Sequence, residues 1–256
     1  MDMLQQLWQS FQNLVHTRLD LSVWWVLVVS VAVVSLIIHF LRSRPIFKTL
    51  RIIFGFLPTL THELGHALMC QVTGGRVRDI HMVMTNKKQA EEGAQGYAIT
   101  QPKHRIGIIL TGFAGYIMPG LIFVLGVTLI HYHLSLVYVL LLIFFMLYYF
   151  VKSKQKYIAF IPVTLIIILM INMVGVDSNG LQLVLNCILN IYFGLLLGEV
   201  VQSMIIMTQV HFTTHQDWDG SMLRRNSLIP ATVWYALWMM WDAGVIYWIY
   251  RLFIYR

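Results

Sequence analysis

Charge is what this chain has least of. Asp, Glu, Lys and Arg make up 11% of its 256 residues, less than half the roughly 25% usual in a soluble domain. A water-facing surface cannot be built from so few charges. The 58% hydrophobic content and a mean hydropathy of +0.71 point the same way. A soluble enzyme and a disordered chain are both excluded. Cysteine is as scarce. Cys70 and Cys187 stand singly in apolar stretches, where a free thiol packs as a small hydrophobe. Two such residues exclude a disulfide scaffold and a cysteine-based zinc cluster. The first 18 residues are too polar for the apolar core of a cleavable signal peptide, so none is expected. Internal repeats and low-complexity linkers are missing too, which makes one membrane domain the simplest organisation.

Apolar sequence is what the chain has in excess. At roughly 20 residues per crossing, the excess suffices for six or seven membrane helices. The chain therefore reads as an all-α polytopic membrane protein, integral and multi-pass. Spans are expected at about 21–41, 52–70, 106–130, 134–151, 157–175, 181–208 and 230–250. Residues 1–18 differ. Leu4, Leu7, Trp8, Phe11, Leu14 and Val15 recur at helical spacing opposite Gln5, Gln6, Gln9, Gln12 and Asn13, the pattern of an amphipathic helix lying in the interface. Residues 19–256 are expected to form the membrane-embedded domain.

Between the second and third spans, the run from Arg76 to Met84 alternates and Gly96 to Thr100 is β-prone. This predicts a small β-hairpin or sheet near 76–100 at the membrane surface, with Lys87, Lys88, Glu91 and Glu92 in a solvated turn. An open edge there would let an unwound peptide add as a further strand. The net charge of +7 reads as loops facing the anionic headgroups of a lipid bilayer, with no nucleic-acid partner. Twelve of the 18 basic residues fall on the side of the 71–105 and 211–229 loops, which makes that side cytoplasmic. The patch Arg42, Arg44, Lys48 and Arg51 opposes the bias locally.

The chemistry is concentrated in Thr61-His62-Glu63-Leu64-Gly65-His66-Ala67. On a helix, residues i and i+4 share a face, so His62 and His66 can bind one metal ion. Two neutral imidazoles suit zinc. Glu63, one residue along, is placed to take a proton from water activated on the metal, and to protonate the leaving amine later. Random placement of ten His and four Glu would give only about 0.006 matches to this pattern. Ionisable groups at membrane depth are costly and functional by default. A catalytic zinc site needs at least a third protein ligand. The candidates are Asp217, Asp219, Glu199 and Asp242. Asp219 is chosen because Gly220 lets a backbone turn bring its carboxylate inward. Asp217 stays open as the alternative. Glu199 otherwise reads as an interhelical partner and Asp242 as structural.

Four blocks carry a family resemblance: His62-Glu63-Leu64-Gly65-His66-Ala67, Gly74-Gly75-Arg76-Val77, Gly112-Phe113-Ala114-Gly115-Tyr116 with Pro119-Gly120, and Asp219-Gly220-Ser221-Met222-Leu223. Together they resemble the site-2-protease class of intramembrane zinc metallopeptidases, in particular its compact bacterial peptidase branch. The resemblance implies a zinc ion held by His62, His66 and Asp219, with Glu63 as general base. It also implies a membrane-spanning peptide or protein as substrate, and a location in the bacterial cell membrane. Larger members of the class carry Asn-Pro shortly before the Asp-Gly, where this chain has Gln216-Asp217-Trp218. No soluble sensing domain is inserted. Two other classes use the same residues: a transporter with the His-Glu-His cluster as its translocation site, and a membrane scaffold with a metal site and no turnover.

Overall fold

Long apolar runs in lipid leave backbone polar groups no partner but one another, and so they fold as helices. A computed structural model describes residues 21–41, 45–158, 179–213 and 218–254, together with Gln5, Gln6, Trp8, Gln9, Leu19 and Thr164. Over these residues the chain runs through α1 (Trp25–Phe40), α2 (Pro45–Val72), β1 (Arg76–Met82), α3 (Asn86–Glu92), β2 (Gly96–Gln101), α4 (Arg105–His131), α5 (Ser135–Lys152), α6 (Asn179–Phe212), α7 (Asp219–Ser227) and α8 (Ala231–Ile254). The segment at 1–18 and the span at 157–175 lie, but for a few positions, outside the described residues.

The architecture is a helical membrane bundle with one two-stranded sheet. Three of the described helices, fewer than the six or seven expected, are both long and apolar enough to cross a bilayer: α4, α5 and the stretch Gln182–Phe212 of α6. The reasons for the shortfall differ by helix. α1 is apolar but has 16 residues, because Ser22 and Trp24 are held outside it by α6. α2 is long but carries Lys48, Arg51 and the His-Glu-His motif. In α8, Trp and Tyr replace many of the aliphatic residues.

The start of α1 is tied down in trans. Asn186 Oδ1 accepts from Ser22 N (3.0 Å) and Asn190 Oδ1 from Trp24 N (2.7 Å), while Asn190 Nδ2 donates to the Ser22 carbonyl (2.9 Å). Helix N-termini leave several N–H groups without internal partners, and the α6 asparagines supply acceptors that α1 lacks. Asn190 is fully buried. An Asn190→Leu variant strands the Trp24 N–H and the Ser22 carbonyl. It should lose about 1–3 kcal/mol, visible as a lower thermal midpoint of the detergent-solubilised protein.

The hairpin forms where alternation predicted it. β1 and β2 pair antiparallel from Arg76↔Gln101 to Met82↔Gly96, with a bulge between Val77 and Asp79. The turn is itself a short helix, α3. Thr85 Oγ1 accepts from Lys88 N at its start, and Gly93 ends it at φ 72°. The hairpin folds back along α2 rather than sitting beyond its end. Gly75 N donates to the Cys70 carbonyl (2.8 Å), Gln95 Nε2 to the Ile52 carbonyl (2.9 Å), and Asn86 Nδ2 to Thr49 Oγ1 (3.0 Å). The outer edge of β1 is occupied. The Gln155 amide accepts from Met82 N (2.8 Å) and donates to the Met82 carbonyl (3.0 Å), and Asp79 Oδ1 accepts from Lys154 N (2.9 Å). Among the described residues, the outer edge of β2 has no such backbone partner.

Candidate metal centre

The histidine pair sits on α2 one turn apart, as the i, i+4 spacing requires, with Nε2 atoms 3.0 Å from each other. Both side chains are largely buried. His66 Nδ1 lies 2.7 Å from the Thr111 carbonyl of α4. A carbonyl only accepts, so this contact fixes the proton on Nδ1 and leaves the Nε2 lone pair free. That is the orientation a supporting carbonyl gives a metal-binding imidazole. The His62 ring is held edge-on to Tyr116 of α4, with centroids 4.8 Å apart at 90°.

Gly115 is what lets α4 come this close. A Cβ built there would run into the His66 ring and lie 2.8 Å from His62 Nε2. No ring shift in a packed seam absorbs such an overlap. Gly115→Ala should displace the histidines and weaken metal binding roughly 10–100-fold, the usual penalty for disturbing the groups that orient a ligand. Metal titration of the purified variant, beside its unchanged helical circular dichroism, checks this.

Asp219 arrives from the other end of the chain. It is the first residue of α7, where the helix dipole favours a negative charge. Trp218 N donates to Ser221 Oγ (3.0 Å), and Ser221 Oγ donates back to the Trp218 carbonyl (2.7 Å), which fixes the entry to α7. An aromatic cluster docks that entry. Trp218 lies 5.8 Å from Trp238, Tyr116 lies 4.6 Å from it, and Trp238 Nε1 donates to the Phe113 carbonyl (3.0 Å). Trp238 and Leu223 are fully buried.

Asp219 Oδ2 consequently stands 3.5 Å from His66 Nε2 and 3.7 Å from His62 Nε2. The three ligand atoms lie within 4.8 Å of one another. Ligands about 2.0–2.2 Å from a shared zinc ion can be at most about 4.4 Å apart, and the three separations above all comply. Two imidazole nitrogens and one carboxylate, each with a free lone pair, fit a metal of the zinc class. Asp217 lies outside the described residues.

Glu63, itself buried, lines a cavity of about 660 Å³ together with His62, Tyr116 and Glu199. The cavity extends past Thr59 and Gly55 to Arg51 of α2, and is closed on other sides by α1, α6 and the Gln95–Gly96 end of the hairpin. Glu199 is thus in the cavity wall and outside the ligand group. Asp242 accepts from Ser203 Oγ (3.0 Å) and is buried between α6 and α8. Sequence reasoning missed the Thr111 carbonyl, because any residue provides one. It missed Tyr116 as a neighbour of His62, although the Gly-Phe-Ala-Gly-Tyr block that contains it was singled out.

A family model described as Peptidase M50B-like matches residues 21–249. No curated protein and no solved structure matches the chain.

Proposed function

The chain belongs to the Peptidase M50B-like family, and on that premise we propose that it is an intramembrane zinc endopeptidase acting on membrane-spanning peptides or proteins. The observation that carries this reading is the convergence of His62, His66 and Asp219 beside a cavity wall that contains Glu63. In this reading His62, His66 and Asp219 hold the ion. When bound, it polarises the scissile carbonyl and lowers the pKa of the attacking water. Glu63 takes the proton from that water as its oxygen bonds to the carbonyl carbon. It then delivers the proton to the amine nitrogen as the C–N bond breaks. His66 is kept in its ligating tautomer by Thr111, and Tyr116 holds the His62 ring. The cavity has a partly polar lining and is large enough to hold several water molecules, which supports hydrolysis within lipid. The remaining spans of the six or seven expected, and a bacterial cell membrane as location, belong to the same proposal.

The reading is tested in liposomes with the purified protein and a pool of single-span peptides, each carrying a Gly-Pro pair in mid-span. Cleavage should stop with a chelator and return with zinc. Cleavage that survives both chelation and Glu63→Gln would overturn it.

A further inference from the structure

One face of α6 is out of place in a membrane helix. Glu199, Gln202, Ser203, Ile206 and Gln209 recur at helical spacing and all line the cavity that reaches His62 and Glu63. Ser203 is engaged by Asp242. Among the described residues, the amides of Gln202 and Gln209 and the carboxylate of Glu199 have no hydrogen-bond partner in the protein. Polar side chains in a membrane bundle normally bond across helices, so Glu199 and Gln202, part-buried and unpaired in one cavity, are placed for something that enters it, with the exposed Gln209 continuing the stripe near the end of α6.

The stripe has a direction. Ser22 and Trp24 meet Asn186 and Asn190, and Ser35 meets Gly198, so α1 and α6 run parallel. α2 returns antiparallel to both, with Thr61 Oγ1 2.9 Å from the Tyr192 hydroxyl. Positions 199 to 209 therefore lead away from the histidine pair toward the Arg51 end of the cavity. Ten residues of helix cover about 15 Å, the length of four to five residues of extended chain at about 3.3 Å each. The cavity volume of about 660 Å³ lies within the 300–1,000 Å³ typical of ligand sites.

We propose that this face of α6 is the wall along which an unwound segment of the substrate lies, its backbone bonded to Glu199, Gln202 and Gln209. The inference rests on the peptidase reading and adds the site that holds the chain for it. A peptide drawn out of helical form in a water-poor space must find partners for every N–H and C=O it frees. Gln202 and Gln209 each offer a donor and an acceptor. Glu199 is acceptor only and stands at the histidine end, where it takes an N–H next to the scissile bond. Ile206 leaves room on the same face for an apolar side chain. Recognition is then of backbone and not of sequence, which suits an enzyme acting on any span that can be unwound.

The test has two arms, both with the peptide pool above in liposomes. In the first, Gln202→Leu with Gln209→Leu is compared with wild type. Each lost neutral hydrogen bond costs about 2–12-fold, so KM should rise about tenfold or more, with kcat and zinc content near wild type. In the second, a photo-cross-linking amino acid replaces Gln202, Gln209 or the exposed Ile191 of the same helix, each in a Glu63→Gln background. Cross-links to peptide are expected from 202 and 209 and not from 191. If wild type cleaves but KM is unchanged and neither position cross-links, the wall is overturned while the peptidase stands. A fall in kcat with KM unchanged likewise overturns it, because the amides would then serve water and not peptide. Cross-links at 202 and 209 with no cleavage by wild type would support the wall and sink the peptidase. Neither cross-links nor cleavage would sink both.

Discussion

Glu63→Gln is expected to abolish peptide cleavage and to leave the metal in place. The substitution preserves shape and removes the one function that separates Glu from Gln, the ability to accept and return a proton. Glu63 is buried in the cavity wall next to His62. General base and acid steps contribute about 10²–10⁴ each, and in the proposed mechanism one carboxylate performs both. A loss of kcat of at least about 10³ is therefore expected, with KM little changed because Glu63 is not placed to hold the substrate backbone. Metal content by elemental analysis and single-turnover cleavage of the peptide pool separate the two effects. Lost metal would make Glu63 a structural support. Retained activity would remove it from the reaction.

The second large effect is on the metal itself. Asp219→Asn and His66→Ala should each weaken zinc by more than about 100-fold, beyond the 10–100-fold that follows loss of a merely supporting group. Asp217→Asn should leave it within a few-fold, and the reverse result would move the third ligand to Asp217. In the proposed reading the metal would join α2 to α7, so its removal should also be felt in stability. A ligand present at 1,000 times its dissociation constant stabilises the folded state by about 4.1 kcal/mol. Chelation should accordingly lower the thermal midpoint of the wild type and leave that of Asp219→Asn almost unmoved.

The sequence made the histidine pair legible because two ligands and a base fall within five residues, and helical period alone brings them to one face. Asp219 was chosen for its Gly220 neighbour, and the structure brings it to the histidines, but Gly220 makes no special turn: it is helical in α7, and its missing side chain makes room for the Trp218 ring. What stayed hidden is what long-range packing decides. Nothing local says that Thr111 offers its carbonyl to His66, or that Gly115 marks where α4 passes the ligands. The helices match their apolar runs within a few residues, except that α2 begins at Pro45, seven residues before the expected span. The basic residues there do not interrupt a helix; they only make it less apolar. The strands were readable from alternation, but their course beside α2 was not. It depends on Gln95 and Asn86 reaching α2, and exposed polar residues in a turn give no sign of such contacts. Glu199 was weighed as a ligand because it is a charge in an apolar span. Its actual setting in the cavity wall depends on the rotation of α6, which Asn186 and Asn190 fix through the start of α1.

Asp219, the proposed third metal ligand, lies about 150 residues beyond the histidines, and the tryptophan that docks its helix comes later still, at position 238. At about 5–20 residues per second, a ribosome needs roughly 8–30 s to bridge that gap. During this interval His62, Glu63 and His66 have been made and their partner has not. In the proposed reading, a nascent chain would therefore be inert toward the membrane proteins being inserted around it. In the proposed reading the site closes only once α7 and Trp238 have been made, so a product truncated before them carries the motif without its third ligand.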